Sequence, residues 1–470
     1  MNDSVVRINR VEIDYFKNVV HGEIDLKNTR RDYQASVLGL YGQNGSGKTA
    51  LVDALLLLEH TLSGRRIPAF FADYIHVDSS FAHLKYELSV IDDDSESEFV
   101  VLYQFSIRKE IDDSAQDTNQ NSDWTEKYRL TLFDEVLTYS YRDKQVKHKM
   151  TPIVDTKTEG VFVPESKYNI LIGRDKNIAT DLLVAKKLAS STSRSFIFSR
   201  ELIAAVRKNC KEDYHLKLFE SLIRYGNFEL FIFRTSDSSV ISFNELPWMF
   251  RYTENEKKTF GNLGIRLDKP AVIPMDAYEI VKKVVSSMNI VLTQLVPGLT
   301  IGLRELGAEL LPDGRASMRV QMVSHKNNKD IPLQYESEGI KKIIAVLQLL
   351  IVMYNEKSIT VVIDELDSGI FEYLLGELLR IISEKGKGQL VFTSHNLRPL
   401  ETIDRGFIAF TTTNPNNRYI RMSNVKPNNN LRDFYYRDII LGEQSEEVYE
   451  PTNNFEIALA FREAGEMSGS

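Results

Sequence analysis

Residues 42–49 read Gly42-Gln43-Asn44-Gly45-Ser46-Gly47-Lys48-Thr49, which matches the pattern G-x-x-x-x-G-K-[ST] at every fixed position. Residues 37–41, directly before them, form an apolar run of strand length. Residues 49–62 are apolar on most sides and end at Ser63-Gly64, as a buried helix does. A strand, a glycine-rich loop and a helix in this order are the setting that a phosphate-binding loop requires. The stretch therefore predicts an α/β fold organised around that loop.

The chemistry of this loop predicts a nucleoside triphosphate as ligand. Glycines let consecutive backbone N–H groups turn inward and approach phosphate oxygens closely. The N-terminus of the following helix adds positive partial charge. Lys48 is expected to contact the β and γ phosphates, and the Thr49 hydroxyl is expected to bind Mg²⁺. We therefore expect ATP and Mg²⁺ as cofactors.

A second motif follows much later in the chain, where residues 359–363 form an apolar run that ends in Asp364 and Glu365. A buried strand would deliver Asp364 beside the phosphate loop, where it can hold Mg²⁺ through a water. The same strand would place Glu365 as the general base for the attacking water. Two carboxylates after a strand are common by themselves, but behind a phosphate loop they indicate ATP hydrolysis.

The residues around this second motif carry a family resemblance. Asp364-Glu365-Leu366-Asp367-Ser368-Gly369 resembles the Walker B motif and D-loop of ABC-type ATPases, including their SMC, RecF and OLD relatives. Thr393-Ser394-His395 closes the next predicted strand, as the switch histidine does in that family. The resemblance implies that Asp367 belongs to the nucleotide site and that His395 contacts the γ phosphate. The alternative for His395 is a cap on the following helix.

A third segment, Tyr335-Glu336-Ser337-Glu338-Gly339, precedes a predicted helix that ends near Tyr354. It resembles a divergent ABC signature, with Ser337 and Gly339 at the serine and glycine positions. The resemblance implies that this segment completes the nucleotide site of an opposite subunit, and hence a homodimer or higher homo-oligomer. A serine and backbone donors at a helix start suit an anionic γ phosphate. The alternative is that Ser337 simply caps its own helix.

Two further family features have weaker matches. Gln104 is the nearest candidate for the Q-loop glutamine, although it lies in a strand-like run. Tyr15-Phe16-Lys17-Asn18 resembles the Asn-Phe-Lys-Ser element that opens SMC and RecF relatives. The alternative for that element is a turn between two strands.

The predicted fold class is α/β, a P-loop NTPase of the ABC type. It has a mixed sheet, an antiparallel β lobe from the alternating runs at about 81–141, and an inserted, mainly helical subdomain. We predict four regions that follow one another along the chain. They are an N-terminal ATPase lobe at 1–150, the helical insert at 151–300, a C-terminal ATPase lobe at 301–442 and an acidic tail at 443–470.

Composition restricts the class of protein and its partners. Of 470 residues, 43% are hydrophobic and 26% are charged, which is typical of a globular chain. The single cysteine excludes an internal disulfide framework and fits a cytoplasmic protein. No export signal or bilayer-length apolar run is visible, so no membrane association is expected. The net charge of −8 argues against a polycation, although the basic run at 141–149 could contact DNA if it is not a solvated loop.

The long interval between Gly42 and Asp364, 322 residues, contains neither sustained heptads nor a strict Leu-Ser-Gly-Gly-Gln signature. The chain therefore resembles stand-alone OLD-like bacterial ATPases, many of which belong to phage-defence systems. This resemblance implies a sensor or regulatory ATPase that controls a separately encoded effector, expected to be a nuclease. The alternative is a RecF- or SMC-like DNA-repair ATPase that clamps DNA. A nuclease in its own right would need a metal site, and no such motif is visible in the sequence.

Overall fold

The computed structural model describes residues 4–28, 33–92, 96–111, 128–254, 257–327, 329–422, 430–441 and 445–468. Most of the acidic stretch at 92–126 lies outside these ranges. The predicted solvated loops of that stretch therefore stay a prediction.

The strands are numbered in chain order, and most coincide with the alternating or continuous apolar runs of the sequence. Their bounds are β1 (Val5–Phe16), β2 (Val19–Asp25), β3 (Ser36–Tyr41), β4 (Phe81–Asp92), β5 (Ser97–Ile111), β6 (Tyr128–Arg142), β7 (Lys147–Asp155), β8 (Leu230–Phe233), β9 (Glu245–Glu254), β10 (Lys257–Arg266), β11 (Ala271–Pro274), β12 (Thr300–Leu310), β13 (Ala316–Lys326), β14 (Lys329–Pro332), β15 (Thr360–Ile363), β16 (Gln389–Thr393), β17 (Ile408–Thr411) and β18 (Tyr419–Ile420).

The helices include the one predicted after the phosphate loop and the one predicted to end near Tyr354. Their bounds are α1 (Lys48–Leu62), α2 (Glu165–Leu171), α3 (Lys176–Ser191), α4 (Arg200–Asn209), α5 (Asp213–Phe228), α6 (Thr235–Ser242), α7 (Met275–Leu295), α8 (Glu338–Asn355), α9 (Glu372–Lys385), α10 (Pro399–Thr402), α11 (Leu431–Leu441) and α12 (Asn454–Ser468). Among these, no helix is both long enough and apolar enough to cross a membrane.

The central sheet has the strand order β18-β17-β3-β16-β15-β8. Its main strands are parallel, with β3 between β16 and β17 and with β15 between β16 and β8. Every residue of β3, β15 and β16 is buried, as expected for parallel strands covered on both faces. The carboxyl ends of parallel strands share one edge of a sheet. The phosphate loop after β3 and the carboxylates after β15 therefore lie at the same edge of the sheet, with one strand, β16, between them.

The second six-stranded sheet is antiparallel, with the order β2-β1-β4-β5-β6-β7, and it forms the predicted antiparallel lobe. Two contacts tie this lobe to the central sheet. Tyr86 of β4 donates a hydrogen bond to the Ala54 carbonyl of α1 at 2.6 Å. The Gln389 amide at the start of β16 exchanges two hydrogen bonds with the backbone of Ile8 in β1. The predicted α/β class with a mixed sheet and an antiparallel lobe is confirmed.

The segment predicted as a helical insert contains α2 to α7, but it also contributes strands. β8, with the sequence Leu230-Phe231-Ile232-Phe233, is fully buried and pairs in parallel with β15 at the edge of the central sheet. A run of four residues is too short for its hydrophobic periodicity to distinguish a strand from a helix. β9 and β10 form a hairpin. A smaller sheet has the strand order β11-β13-β12, and β14 also pairs with β13. The predicted domain boundaries stay a prediction, and the structure adds that this segment contributes a strand to the central sheet.

The region predicted as an acidic tail carries the helix α12, and the segment before that helix packs on the loop after β17. The backbone N–H of Thr413 donates to the Glu447 carbonyl at 2.8 Å. The Glu446 carboxylate accepts hydrogen bonds from the side-chain amides of Asn414 and Asn417, at 3.0 and 2.9 Å. The segment then reaches the phosphate loop, where Glu450 N–H donates to the Gln43 side chain at 2.9 Å.

Candidate nucleotide-binding site

The loop at residues 42–49 has the backbone that its glycines predict. Gly45 and Gly47 adopt φ values of +78° and +96°, a region that side-chain-bearing residues rarely enter. Lys48, which begins α1, turns its ammonium back into the loop and donates to the Gly42 and Gln43 carbonyls at 2.8 and 2.9 Å. The loop is thus a closed turn around a lysine, positioned at the N-terminus of a buried helix.

The lysine of the loop lies among carboxylates. Its side chain is buried, and burial lowers the Lys48 pKa, whereas Asp364, Glu365 and Asp367 oppose that shift. Residues that are hundreds of positions apart in sequence are therefore brought within electrostatic range. This is the arrangement that the two motifs predicted.

A second set of contacts holds the loop from the β1–β2 turn of the antiparallel lobe and from the start of β18. Asn18, in the turn between β1 and β2, donates a short hydrogen bond to the Gly45 carbonyl. Arg418 donates to the Asn18 carbonyl at 2.6 Å, and Tyr419 donates to the Gly47 carbonyl at 2.9 Å. Of the element at 15–18, Tyr15 and Phe16 end β1, and Lys17 and Asn18 form the turn to β2 that the alternative predicted. Asn18 also contacts the phosphate loop directly.

Asp364 is 1% exposed, yet both of its carboxylate oxygens accept a hydrogen bond. Thr393, at the end of β16, donates to one oxygen at 2.6 Å, and Thr235, at the start of α6, donates to the other at 2.7 Å. Buried carboxylates need such donors because water is not there to solvate them. The two threonines fix the orientation of the carboxylate. The sequence carried no signal for Thr235, which lies 129 residues before Asp364.

Glu365 has an unusual backbone at the end of β15. Its φ is +49°, a conformation that costs a non-glycine residue about 1–3 kcal/mol and that clusters at functional sites. Its N–H donates to the Thr393 hydroxyl at 2.7 Å, so the same threonine bonds to both carboxylate residues. Thr393 therefore joins the two strands at the position where the chemistry is expected.

Asp367 and His395 are brought together by the turn after β16. One oxygen of the Asp367 carboxylate accepts from the backbone N–H groups of His395 and Asn396 at 3.1 and 2.9 Å. Its other oxygen is buried and has no hydrogen-bond partner within the described ranges. The His395 ring is exposed, and its pKa is lowered by partial desolvation and by the nearby Lys48. The side chain that accepts a hydrogen bond near the start of the following helix is that of Asn396, which accepts from Arg398 N–H. In the described chain the His395 side chain makes no such capping hydrogen bond.

Ser337 and Gly339 lie at the N-terminus of α8. The Ser337 hydroxyl accepts from Ile340 N–H at 3.3 Å, so it does cap its own helix, and its side chain is exposed. A Cβ on Gly339 would lie 1.8 Å from the Gly369 carbonyl oxygen, so only glycine fits there. The signature-like segment therefore packs on the D-loop of its own subunit. Its predicted contact with a second subunit stays a prediction.

Lys342 is a member of this site that the sequence analysis missed. It is 3% exposed, and its ammonium donates a short hydrogen bond to the Glu365 carbonyl. Burial lowers its pKa to about 8, opposed by the nearby Asp367, Glu365 and Asp364. Two adjacent lysines on a predicted helix are typical of a solvated face, so pattern alone could not assign this position to the interior.

Replacing Lys342 by Met should stabilise the fold near neutral pH. Because the folded pKa is about 8 against an ordinary 10.5, the unfolded chain binds more protons between these values. The associated stability is fully present above pH 10.5 and is lost as the pH falls through 8, a difference of roughly 3 kcal/mol. Urea unfolding of Lys342→Met should lose that pH dependence, while the exposed Lys385→Met should keep it. An unchanged slope in Lys342→Met would show that this ammonium is not buried as described.

Two other predicted or candidate groups lie elsewhere. Gln104 lies within β5, paired through its backbone with Lys85 and Val136, and within the described chain it makes no hydrogen bond to the phosphate loop. Its Q-loop role stays a prediction. Glu12, Asp14 and His21 approach one another within 4.8 Å on β1 and β2. In that cluster Lys85 forms a salt bridge with Glu12 at 2.8 Å and His21 forms a hydrogen bond with Asp14 at 2.7 Å, and these contacts account for it.

Comparison with known proteins gives one family match. The family model described as "AAA ATPase domain" matches residues 7–398. No curated protein matches the chain. Among solved structures, the SMC head domain of Pyrococcus furiosus bound to the C-terminal domain of ScpA is 12% identical, with a TM-score of 0.39 over 89% of this chain and 96% of that one.

Two more solved structures match the chain at a similarly low identity. The SMC head domain of Thermotoga maritima is 13% identical, with a TM-score of 0.36 over 89% of this chain and 99% of that one. The recombination mediator protein RecF with ATPrS is 13% identical, with a TM-score of 0.35 over 89% and 98%. Because these TM-scores are below 0.5, none of the three likenesses bears on the function of this chain.

Proposed function

The chain belongs to the AAA ATPase domain family, and on that premise we propose that it binds ATP with Mg²⁺ at residues 42–49 and hydrolyses it. The observation that carries this proposal is the meeting of the two motifs at one sheet edge. Lys48 follows β3, Asp364 and Glu365 follow β15, and Thr393 of the strand between them bonds to both carboxylate residues.

The residues present fit a magnesium ion. Mg²⁺ prefers oxygen ligands and keeps several waters. The Thr49 side chain is exposed and, within the described residues, makes no hydrogen bond, so its hydroxyl is free to act as a ligand. Asp364 offers carboxylate oxygens that two threonines already orient. A bound Mg²⁺ would supply positive charge that stabilises the phosphates during transfer.

In this proposal each of the remaining polar groups of the site has its own role in hydrolysis. Glu365 accepts the proton of the attacking water. His395 contacts the γ phosphate through its ring, whose pKa is lowered by partial desolvation. Asp367 positions His395 through two backbone hydrogen bonds. Lys342 positions Glu365 through the carbonyl of that residue.

The same site supports an ATP-dependent homodimer. Ser337 stands exposed at the N-terminus of an 18-residue helix, whose partial positive charge suits an anion. The ABC resemblance assigns Ser337, Gly339 and the start of this helix to the nucleotide of an opposite subunit. We therefore place Ser337 and Gly339 against the γ phosphate bound by the phosphate loop of a second copy.

The pair Ser337→Asp and Ser337→Asn tests this dimer. Both residues cap a helix as well as serine does, so both variants should fold and bind ATP in their own phosphate loop. Only the aspartate would set a negative charge against the γ phosphate of the other subunit. That repulsion should weaken ATP-dependent dimerisation roughly 100-fold, taken as about 3 kcal/mol. Light scattering with a non-hydrolysable ATP analogue measures it, and equal dimerisation of both variants would refute the composite site.

At the biological level we propose a sensor or regulatory ATPase of a bacterial anti-phage defence system, acting in the cytoplasm on a separately encoded effector, expected to be a nuclease. The support is the resemblance to OLD-like ATPases, together with a full set of nucleotide motifs and an insert that carries no second catalytic motif in its sequence. Phage plating on cells that carry this gene and its neighbour tests the role. The role is contradicted if cells that carry the Lys48→Ala variant are still protected against phage. It is also contradicted if the gene pair never lowers the efficiency of phage plating.

The DNA-clamping alternative finds little support in the basic run at 141–149. Arg142 pairs with Glu98 at 2.9 Å, and Lys144 pairs with Glu96 at 2.9 Å, so half of the obvious cations are neutralised locally. This alternative requires DNA binding that depends on ATP and falls steeply with salt. Such binding, measured with duplex DNA at two salt concentrations, would reinstate it.

A further inference from the structure

A cavity of about 760 Å³ lies where α1 ends, beside the end of α3 and the start of α4. Its lining carries four arginines, Arg66, Arg129, Arg194 and Arg200, but only one carboxylate, Glu201. The 15-residue helix α1 begins in the phosphate loop and ends at this cavity. Because such a helix is about 22 Å long, the cavity is separate from the nucleotide site.

The arginines of this cavity are not accounted for by ion pairs. In the part of the chain that the structure describes, the guanidinium groups of Arg66, Arg194 and Arg200 make no hydrogen bond or salt bridge. Arg129 forms a salt bridge of 3.2 Å with Glu110, which also pairs with Arg108. The Nε of Arg129 is buried and has no hydrogen-bond partner in that same part of the chain. Guanidinium groups gathered around one concavity repel one another unless an anion lies between them.

Helix ends explain only part of this positive charge. α1 and α3 end at the cavity, and each carries about half an elementary negative charge at its C-terminus, which attracts arginine. The N-terminus of α4, capped by Ser199, contributes about half a positive charge in return. Even with Glu201 and Glu110 counted fully, four guanidinium groups leave the cavity positive.

Hydrogen bonds from buried residues hold one wall of the cavity in place. Glu135 is 2% exposed and accepts hydrogen bonds from Ser195, from Tyr103 at 2.6 Å and from Phe196 N–H at 2.9 Å. These bonds fix the loop between α3 and α4 that carries Arg194. The cavity is therefore formed before any ligand arrives, which lowers the cost of binding.

We propose that this cavity binds a phosphate-bearing anion of nucleotide size, distinct from the ATP of the phosphate loop. Arginine presents a planar fork of donors that matches two phosphate oxygens at once. The cavity volume falls in the range of small-molecule sites, about 300–1,000 Å³. The Ser199 hydroxyl, which accepts from Leu202 N–H, and the N-terminus of α4 supply further donors.

Calorimetric titration tests this site with the full-length Lys48→Ala protein, in which the phosphate loop is disabled. The probes are inorganic pyrophosphate, a 5′-phosphorylated dinucleotide and the same dinucleotide without its phosphate. Both phosphorylated probes should bind, and the third should not. Adding Arg194→Glu should weaken binding at least about 10-fold, since hydrogen bonds to a charged group contribute roughly 1.5–3 kcal/mol. Adding Arg174→Glu, an exposed arginine outside the lining, should leave binding within about 2-fold.

The outcomes separate the sources of the phosphate. Pyrophosphate binding that Arg194→Glu weakens supports a small phosphorylated ligand, and binding of the dinucleotide alone supports a phosphorylated end of nucleic acid. No binding of either phosphorylated probe, or equal binding in Arg194→Glu and Arg174→Glu, overturns the proposal. Should Arg194→Glu fail to fold, Arg194→Gln keeps the size of the side chain and removes the charge, and it must weaken binding as well. Failure here leaves the ATPase proposal intact, because the phosphate loop is disabled throughout.

Discussion

Replacing Glu365 by Gln should lower the rate of ATP hydrolysis by roughly 10²–10⁴-fold, the usual contribution of a positioned general base. Glutamine keeps the size of the side chain and leaves unchanged the backbone N–H that donates to Thr393. It cannot accept a proton from water. ATP binding should therefore persist, and bound ATP should accumulate along with any dimer that it stabilises.

Phosphate release under steady-state conditions measures the effect of Glu365→Gln, with filter binding of labelled ATP as the second readout. Glu372→Gln is a matched control, because Glu372 is exposed at the start of α9 and belongs to no part of the site. The control should hydrolyse ATP at the wild-type rate. A normal rate in Glu365→Gln would show that another group removes the proton.

Replacing Lys48 by Ala should have the second large effect, on binding rather than on chemistry. Lys48 is 7% exposed, and its ammonium donates to two carbonyls of the loop that should receive the phosphates. Removing one partner of a buried charge pair costs about 3–5 kcal/mol, which corresponds to an ATP affinity that is weaker by roughly 200- to 5,000-fold.

Fluorescence titration with a labelled ATP analogue and Mg²⁺ measures that loss. Lys385→Ala, on the exposed end of α9, serves as the control and should bind like the wild type. Circular dichroism should show that Lys48→Ala remains folded. If this folded variant binds ATP as tightly as the control does, then the loop at 42–49 is not the nucleotide site.

Much of the fold could be predicted from the sequence because its central strands are continuous apolar runs next to distinctive motifs. The runs before Gly42 and Asp364 became β3 and β15, and the helix after the phosphate loop became α1. Parallel topology then placed both motifs at one sheet edge. The same order of elements predicted the turn that carries His395.

Other features depend on contacts that no local pattern encodes. Thr235 reaches Asp364 from a different segment, through the edge strand β8, whose four residues give no periodicity. Lys342 looks like a surface lysine, and only the packing of α8 shows that it is buried beside Glu365. The arginine cavity also brings together residues from β6, from the ends of α1 and α3 and from the start of α4, so its charge excess exists only in three dimensions.

Complementation between two inactive variants tests the composite nucleotide site most directly. Lys48→Ala disables the phosphate loop of one subunit, and Ser337→Asp disables the contribution of the other. In a mixed dimer, one site retains both an intact phosphate loop and an intact Ser337. Mixing equal amounts of the two proteins should therefore restore ATP hydrolysis to about a quarter of the wild-type rate, given random pairing in a two-fold dimer. A mixture as inactive as its two components would contradict the composite site.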